Sequence, residues 1–274
     1  GLRLGRSTGW DSPAVLTLLP LAPVFLVAFW RVERTAKWPV LPGYLLRLAG
    51  FRVSSLSMFL ANLGVFVIWF IFPFYVADSL GGSALTLGLM LATLALLNTL
   101  SSGAGGWLCD RFSYLPMGFG GLLVMAAGLL YLGYLDTASS LGHVALRVGI
   151  VGAGLGLFQA ATYSLMLGSV PSDRFGTASA ALSLAQSCGR VLSVAVIGGI
   201  FAWRSDHHLA ALAVGADAEG VAFIKAFKDV FVIGSSLSLL AALVFLAGGW
   251  RALRRETAVE RPPSETTGAG LTPQ

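Results

Sequence analysis

Apolar residues in this chain come in long runs separated by short polar stretches. A helix crosses a hydrocarbon layer about 30 Å thick with about 17–25 apolar residues. Seven runs fit that description: Ala14 to Trp30, Val53 to Ala77, Ala84 to Cys109, Met117 to Leu135, Val144 to Val170, Thr177 to Ala202 and Val230 to Trp250. The first is short and carries Pro20 and Pro23. Backbone groups in lipid must be paired within their own segment, so all seven predict helices. The ten-residue alternating segments of an outer-membrane barrel do not compete with this pattern.

Composition strengthens the pattern. Of 274 residues, 56% are hydrophobic and 11% charged, and the mean hydropathy is +0.79. A soluble domain carries about 25% charged residues. The chain therefore does not read as a soluble domain, a nucleic-acid binder or a disordered scaffold, despite its net charge of +5. Its partner is the lipid bilayer. Cys109 and Cys188 both lie in apolar runs and suggest neither a disulfide framework nor a metal site.

Charge gives the orientation. Assigning alternate loops to one side collects eleven basic residues there, from Arg31 through Arg111 and Arg174 to Arg261, against five on the other. The richer side is the cytoplasm. This puts the C-terminus inside and Gly1 outside. No signal-peptide pattern precedes Gly1, so further spans are expected upstream. Three regions follow: an external stub, linker helix and cytoplasmic connector over 1–52, six helices over 53–250, and a disordered cytoplasmic tail over 251–274.

The turn between the third and fourth spans reads Gly106-Trp107-Leu108-Cys109-Asp110-Arg111-Phe112. This G-x-L-x-D-R pattern resembles the signature loop of the major facilitator superfamily. Ser113 stands where that pattern has Gly, and Leu115 where it has a basic residue, as in the weakened second copy typical of C-terminal halves. Gly106 is expected to let two helices approach, Asp110 to cap a helix N-terminus, and Arg111 to pair with acids or carbonyls, together forming a conformational latch. Further segments resemble the fourteen-span drug–proton antiporters of that superfamily. They are Gly9-Trp10-Asp11-Ser12-Pro13, Glu33-Arg34 with Pro39, Pro73-x-Tyr75, Gly152-x-Gly154-x-Gly156-x-Phe158-Gln159, Gly168-Ser169-Val170-Pro171 and Arg174-x-Gly176-x-Ala178-Ser179. The resemblance implies an all-α, polytopic membrane fold: one linker helix plus the six-helix C-terminal half, built as 3+3 inverted repeats. It further implies proton-driven efflux of small hydrophobic drugs or metabolites, with the substrate path lying against a missing N-terminal half. The implied energy source is a transmembrane proton gradient, with no bound cofactor.

Three helix faces are candidates to line that path. On the sixth span Ser179, Ser183, Gln186, Arg190 and Ser193 share a face. Arg190 lies about 13–14 residues, or roughly 20 Å, from the cytoplasmic end. At that depth it either binds an anionic group, pairs with a carboxylate, or is held structurally. On the fifth span Gln159 and Tyr163 follow a glycine face that favours close packing, and either contact substrate or bond a neighbouring helix. On the second span Phe59, Asn62, Phe66, Trp69 and Pro73 share an aromatic face that suits flat apolar compounds, or simply faces lipid or core. Asn98 reads as an interhelical tie.

No carboxylate or His lies deep in a predicted span: Asp78, Asp110, Asp136 and Asp229 fall at span ends. A coupling carboxylate is therefore expected in the missing half. His207 and His208 read as an exposed loop pair. With no catalytic constellation at depth and no P-loop, an enzyme or ATP-driven pump is not expected. The competing reading is a non-transporting receptor or assembly subunit of the same fold.

Overall fold

A computed structural model describes residues 24, 27–28, 31–35, 43–135, 139–211 and 218–259. Two compact units divide at Tyr44 and Leu45. In the first, residues 31–35 are helical, and the Thr35 hydroxyl bonds back to the Arg31 and Val32 carbonyls. Most of the expected first span, Ala14 to Trp30, lies outside the described residues.

The second unit holds α1 (Ala49–Val65), α2 (Val67–Phe74), α3 (Ala84–Phe112), α4 (Tyr114–Gly133), α5 (Leu141–Ser169), α6 (Phe175–Ala211) and α7 (Ala218–Val259). α1 and α2 make one span, so six helices among the described residues are long and apolar enough to cross a membrane. The chain is a multi-pass membrane protein.

Local chemistry explains the breaks. Pro73 lies inside α2, and the chain then widens into a π-helical turn over Tyr75–Ser79. A proline has no N–H to offer its helix, so the regular ladder fails near it. Ser83 starts α3 by accepting the Thr86 amide at 3.3 Å, and Ser140 starts α5 by accepting the His143 amide at 3.4 Å. These are N-caps, which satisfy amides that the first helical turn leaves unpaired.

Three boundaries differ most from expectation. α6 continues to Ala211, past Ala202, and α7 begins at Ala218, ahead of Val230. Hydropathy marks only the part of a helix in lipid. At 1.5 Å per residue, α6 is about 55 Å long and exceeds a hydrocarbon layer of about 30 Å. α7 also runs to Val259, so residues 251–259 continue the helix rather than begin the tail; 260–274 lie outside the described residues.

The packing has an internal symmetry. α5 packs on α3 and α4, and α1 packs on α6 and α7. α4 meets α7, α1 meets α5, and the pairs α3–α4 and α6–α7 touch. Exchanging α1–α4 with α5–α7 maps each of these pairings onto another, or onto itself. Each set makes three spans, an odd number, so the two repeats run in opposite directions. This is the 3+3 inverted-repeat arrangement expected from the sequence.

Glycines make the close approaches. A Cβ on Gly152 would strike the Leu94 carbonyl, and one on Gly156 the Asn98 carbonyl, so this face of α5 seats the α3 backbone. Gly64 of α1 and Gly234 of α7 meet face to face: a Cβ on Gly64 would lie 2.6 Å from the Gly234 carbonyl. Between the π-turn and α7, Tyr75, Phe227 and Phe231 pack ring against ring in a fully buried aromatic core.

Candidate functional site

Buried serines tie α1 to α5 through Ser54 and the Thr162 carbonyl, and α7 to α4 through Ser235 and the Ala126 carbonyl; the expected path residues enter two further ties. The first joins α1 to α6. Asn62 is 3% exposed and donates through Nδ2 to the Met58 carbonyl at 2.9 Å. That bond within α1 leaves Oδ1 to accept from Arg190 Nε at 3.1 Å. Arg190 Nη2 also donates to Gln186 Oε1, one turn earlier on α6, at 3.2 Å. The helices come this close because Gly189 lies against α1, where a Cβ would sit 2.5 Å from the Phe59 carbonyl.

The second tie joins α3 to α5. Asn98 Nδ2 donates to Gln159 Oε1 at 3.4 Å, beside the Gly156 contact. The α3–α5 and α1–α6 interfaces exchange under the repeat symmetry, and each carries an amide next to a glycine contact, with the glycine on α5 in one and on α6 in the other. Gln159 is thus tied to α3 and is not part of the Arg190 network. Tyr163 lies one turn further along α5, half-buried.

The expected α6 stripe is split by the packing. Ser193 is 1% exposed, Gln186 is half-buried, and Ser183 and Arg190 are exposed. The stripe therefore runs along the edge of α6 beside α1. Phe66 and Trp69 lie further along the α1–α2 span that carries Asn62. Phe66 is half-buried at the α1–α2 junction, and Trp69 is 48% exposed. A guanidinium near the centre of a span costs about 2.5–3.5 kcal/mol on insertion scales, which explains why Arg190 gathers both available amide oxygens.

The α3–α4 turn departs from the expected latch. Asp110 is exposed, and the N-terminus of α4 has no side-chain cap. Arg111 lies 5.8 Å from the Trp107 ring centroid instead of on an acid or carbonyl. Open space surrounds Gly106, whereas its neighbour Gly105 makes the close contact, 3.0 Å from a built Cβ to Ala160. The α3 helix turns Gly105, not Gly106, toward α5.

The structure also shows a cluster that the sequence pattern hid. Asp229 Oδ2 accepts from Arg204 Nε at 2.8 Å and lies 2.7 Å from His208 Nε2. Arg204 and His208 are one turn apart on α6, and Asp229 lies on α7 just ahead of the apolar run that begins at Val230. His207 stacks on Trp203 from the same helix, so the His pair is helical rather than a loop. Arg147, near the start of α5, donates to the Tyr131 carbonyl at 2.9 Å and lies over the Tyr131 ring. The signal was the i, i+4 spacing of Arg204 and His208, masked by the local drop in hydropathy.

Residues 54–273 match the sequence profile described as Major Facilitator Superfamily. The Multidrug transporter protein MdtP of Bacillus subtilis (strain 168) is 29% identical over 205 residues, covering 75% of this chain and 38% of its own length. The Uncharacterized transporter YebQ of Escherichia coli (strain K12) is 30% identical over 72% of this chain and 44% of its own. A Tetracycline resistance determinant of Streptomyces rimosus is 28% identical over 70% of this chain and 56% of its own. The chain thus spans about two-fifths of the length of the first two.

Proposed function

The chain belongs to the major facilitator superfamily, and on that premise we propose that it works with a second six-helix half as a secondary active carrier exporting small hydrophobic molecules. The observation that carries this reading is the tie at Asn62, Gln186 and Arg190: a polar network at bilayer depth, set on a helix edge that is exposed in this half. A purely structural span has little reason to keep a guanidinium there. The names of two relatives, a multidrug transporter and a tetracycline resistance determinant, support efflux of this substrate class.

In this proposal the path runs between the halves. Phe66 and Trp69 offer flat apolar surface to the substrate, and the amides and Arg190 offer hydrogen bonds. The proton gradient supplies the energy, and the group that takes and releases the proton lies in the second half. The C-terminus is cytoplasmic, as the excess of basic residues on that side directs.

Cells producing the complete transporter are loaded with a fluorescent lipophilic compound, and efflux is followed with and without a protonophore. Efflux that stops with the protonophore supports proton-driven export. Efflux that continues after every ion gradient is collapsed contradicts it.

A further inference from the structure

We infer that Arg190 is a carboxylate-binding site, which places an acidic group opposite α6 in the loaded transporter. The inference rests on the transport reading and deepens it.

The geometry leaves one part of the guanidinium unused. Arg190 Nε is committed to Asn62 Oδ1 and one Nη2 hydrogen to Gln186 Oε1. Of the five donors on a guanidinium, both on Nη1 and the second on Nη2 remain. The second Nη2 hydrogen and one on Nη1 form the outer edge of the fork, which can grip a carboxylate with two parallel bonds. The fork is held in place, because Asn62 is buried and bonded to its own helix while Gly189 presses α6 onto α1.

Charge gives the second reason. Asn62 and Gln186 are neutral: they orient the cation without cancelling it. Among the described residues no carboxylate lies within ion-pair distance of Arg190, and no aromatic ring covers it. Other arginines of this bundle are treated differently. Arg204 has Asp229 at 2.8 Å, and Arg147 has a carbonyl and the Tyr131 ring. Among the described arginines, Arg190 alone combines bilayer depth, an exposed side chain and only neutral partners. A carboxylate supplied from outside these residues completes the pairing.

That carboxylate has two possible sources, an acidic amphiphilic substrate or an Asp or Glu of the second half. The test uses a matched probe pair, a fluorescent hydrophobic carboxylic acid and its primary amide. Both are offered to membrane vesicles carrying the complete transporter as wild type, Arg190→Gln or Arg190→Lys, at equal protein levels. If the substrate supplies the acid, Arg190→Gln cuts export of the acid about tenfold or more and leaves the amide within about twofold. If the second half supplies it, Arg190→Gln cuts both probes alike. In either case Arg190→Lys, which keeps the charge, retains a substantial part of the activity. The inference is overturned if Arg190→Gln exports both probes at wild-type rates. It is equally overturned if Lys is as damaging as Gln, since a structural hydrogen bond to Asn62 then explains the residue. If the wild type exports neither probe, the transport reading fails separately. The remaining readout is then the thermal stability of the purified complete transporter, and the inference is overturned if acid and amide shift it equally and Arg190→Lys is no more stable than Arg190→Gln.

Discussion

Ser113 joins α3 to α4 with φ at 93°, the one positive value outside glycine among the described residues. A side chain in that region is strained, at a cost of order 1–3 kcal/mol. Its hydroxyl is also buried without a hydrogen-bond partner. Glycine at this position, the residue usual in the family pattern, removes both penalties. We expect Ser113→Gly to raise the unfolding midpoint of the purified protein in detergent, by about 1 kcal/mol in stability. A lower midpoint would show that the serine makes a contact the turn needs. The sequence pattern singled out this position, but not why it matters: backbone angle is invisible in residue order. The same limit explains Gly105 and Gly106. Adjacent glycines look alike in sequence, and only the rotation of α3 decides which one meets α5.

Between elements, the informative features differ in how readable they were. The Gly152–Gly156 face was legible, because glycines four apart on an apolar run pack a neighbouring helix. A leucine at Gly156 would collide with the Asn98 backbone. Gly156→Leu should therefore separate α3 from α5 and destabilise the bundle by about 1–3 kcal/mol, read as a lower unfolding midpoint. An unchanged midpoint would mean the interface is looser than drawn. The α6–α7 cluster was not legible. Arg204, His208 and Asp229 lie where hydropathy falls, so the segment reads as a loop until the helices are seen to continue. These side chains are 22–35% exposed, so the pairing is partly screened. Asp229→Asn should cost about 1 kcal/mol, and the loss should shrink in high salt. A loss insensitive to salt would point to packing rather than charge.

For the whole molecule, the number of spans over residues 53–250 and the helical class followed from run length alone. Lipid forces that simplicity, since a spanning segment must satisfy its own backbone. The Arg190 candidates were only partly legible. Helical periodicity put Gln186 and Arg190 on one face, but the bond to Asn62 depends on how α1 and α6 pack. Gln159, placed with the path residues by its face, turns out to be tied to Asn98. Orientation is a whole-chain property as well. A reporter at the C-terminus should be accessible from the cytoplasm and shielded in intact cells; labelling from outside would reverse the topology.

The most direct measurement is substrate protection of a cysteine at the α6 edge. Cys109 and Cys188 are first replaced by Ala, then Gln186→Cys and Leu243→Cys are made separately in the complete transporter. Leu243, 61% exposed on α7 away from the Arg190 network, serves as the comparison. A charged thiol reagent should modify Gln186→Cys, an exported substrate should slow that reaction, and Leu243→Cys should stay unmodified. If Gln186→Cys in an active transporter is unreactive, or reacts equally with and without substrate, the edge of α6 beside α1 does not line the path.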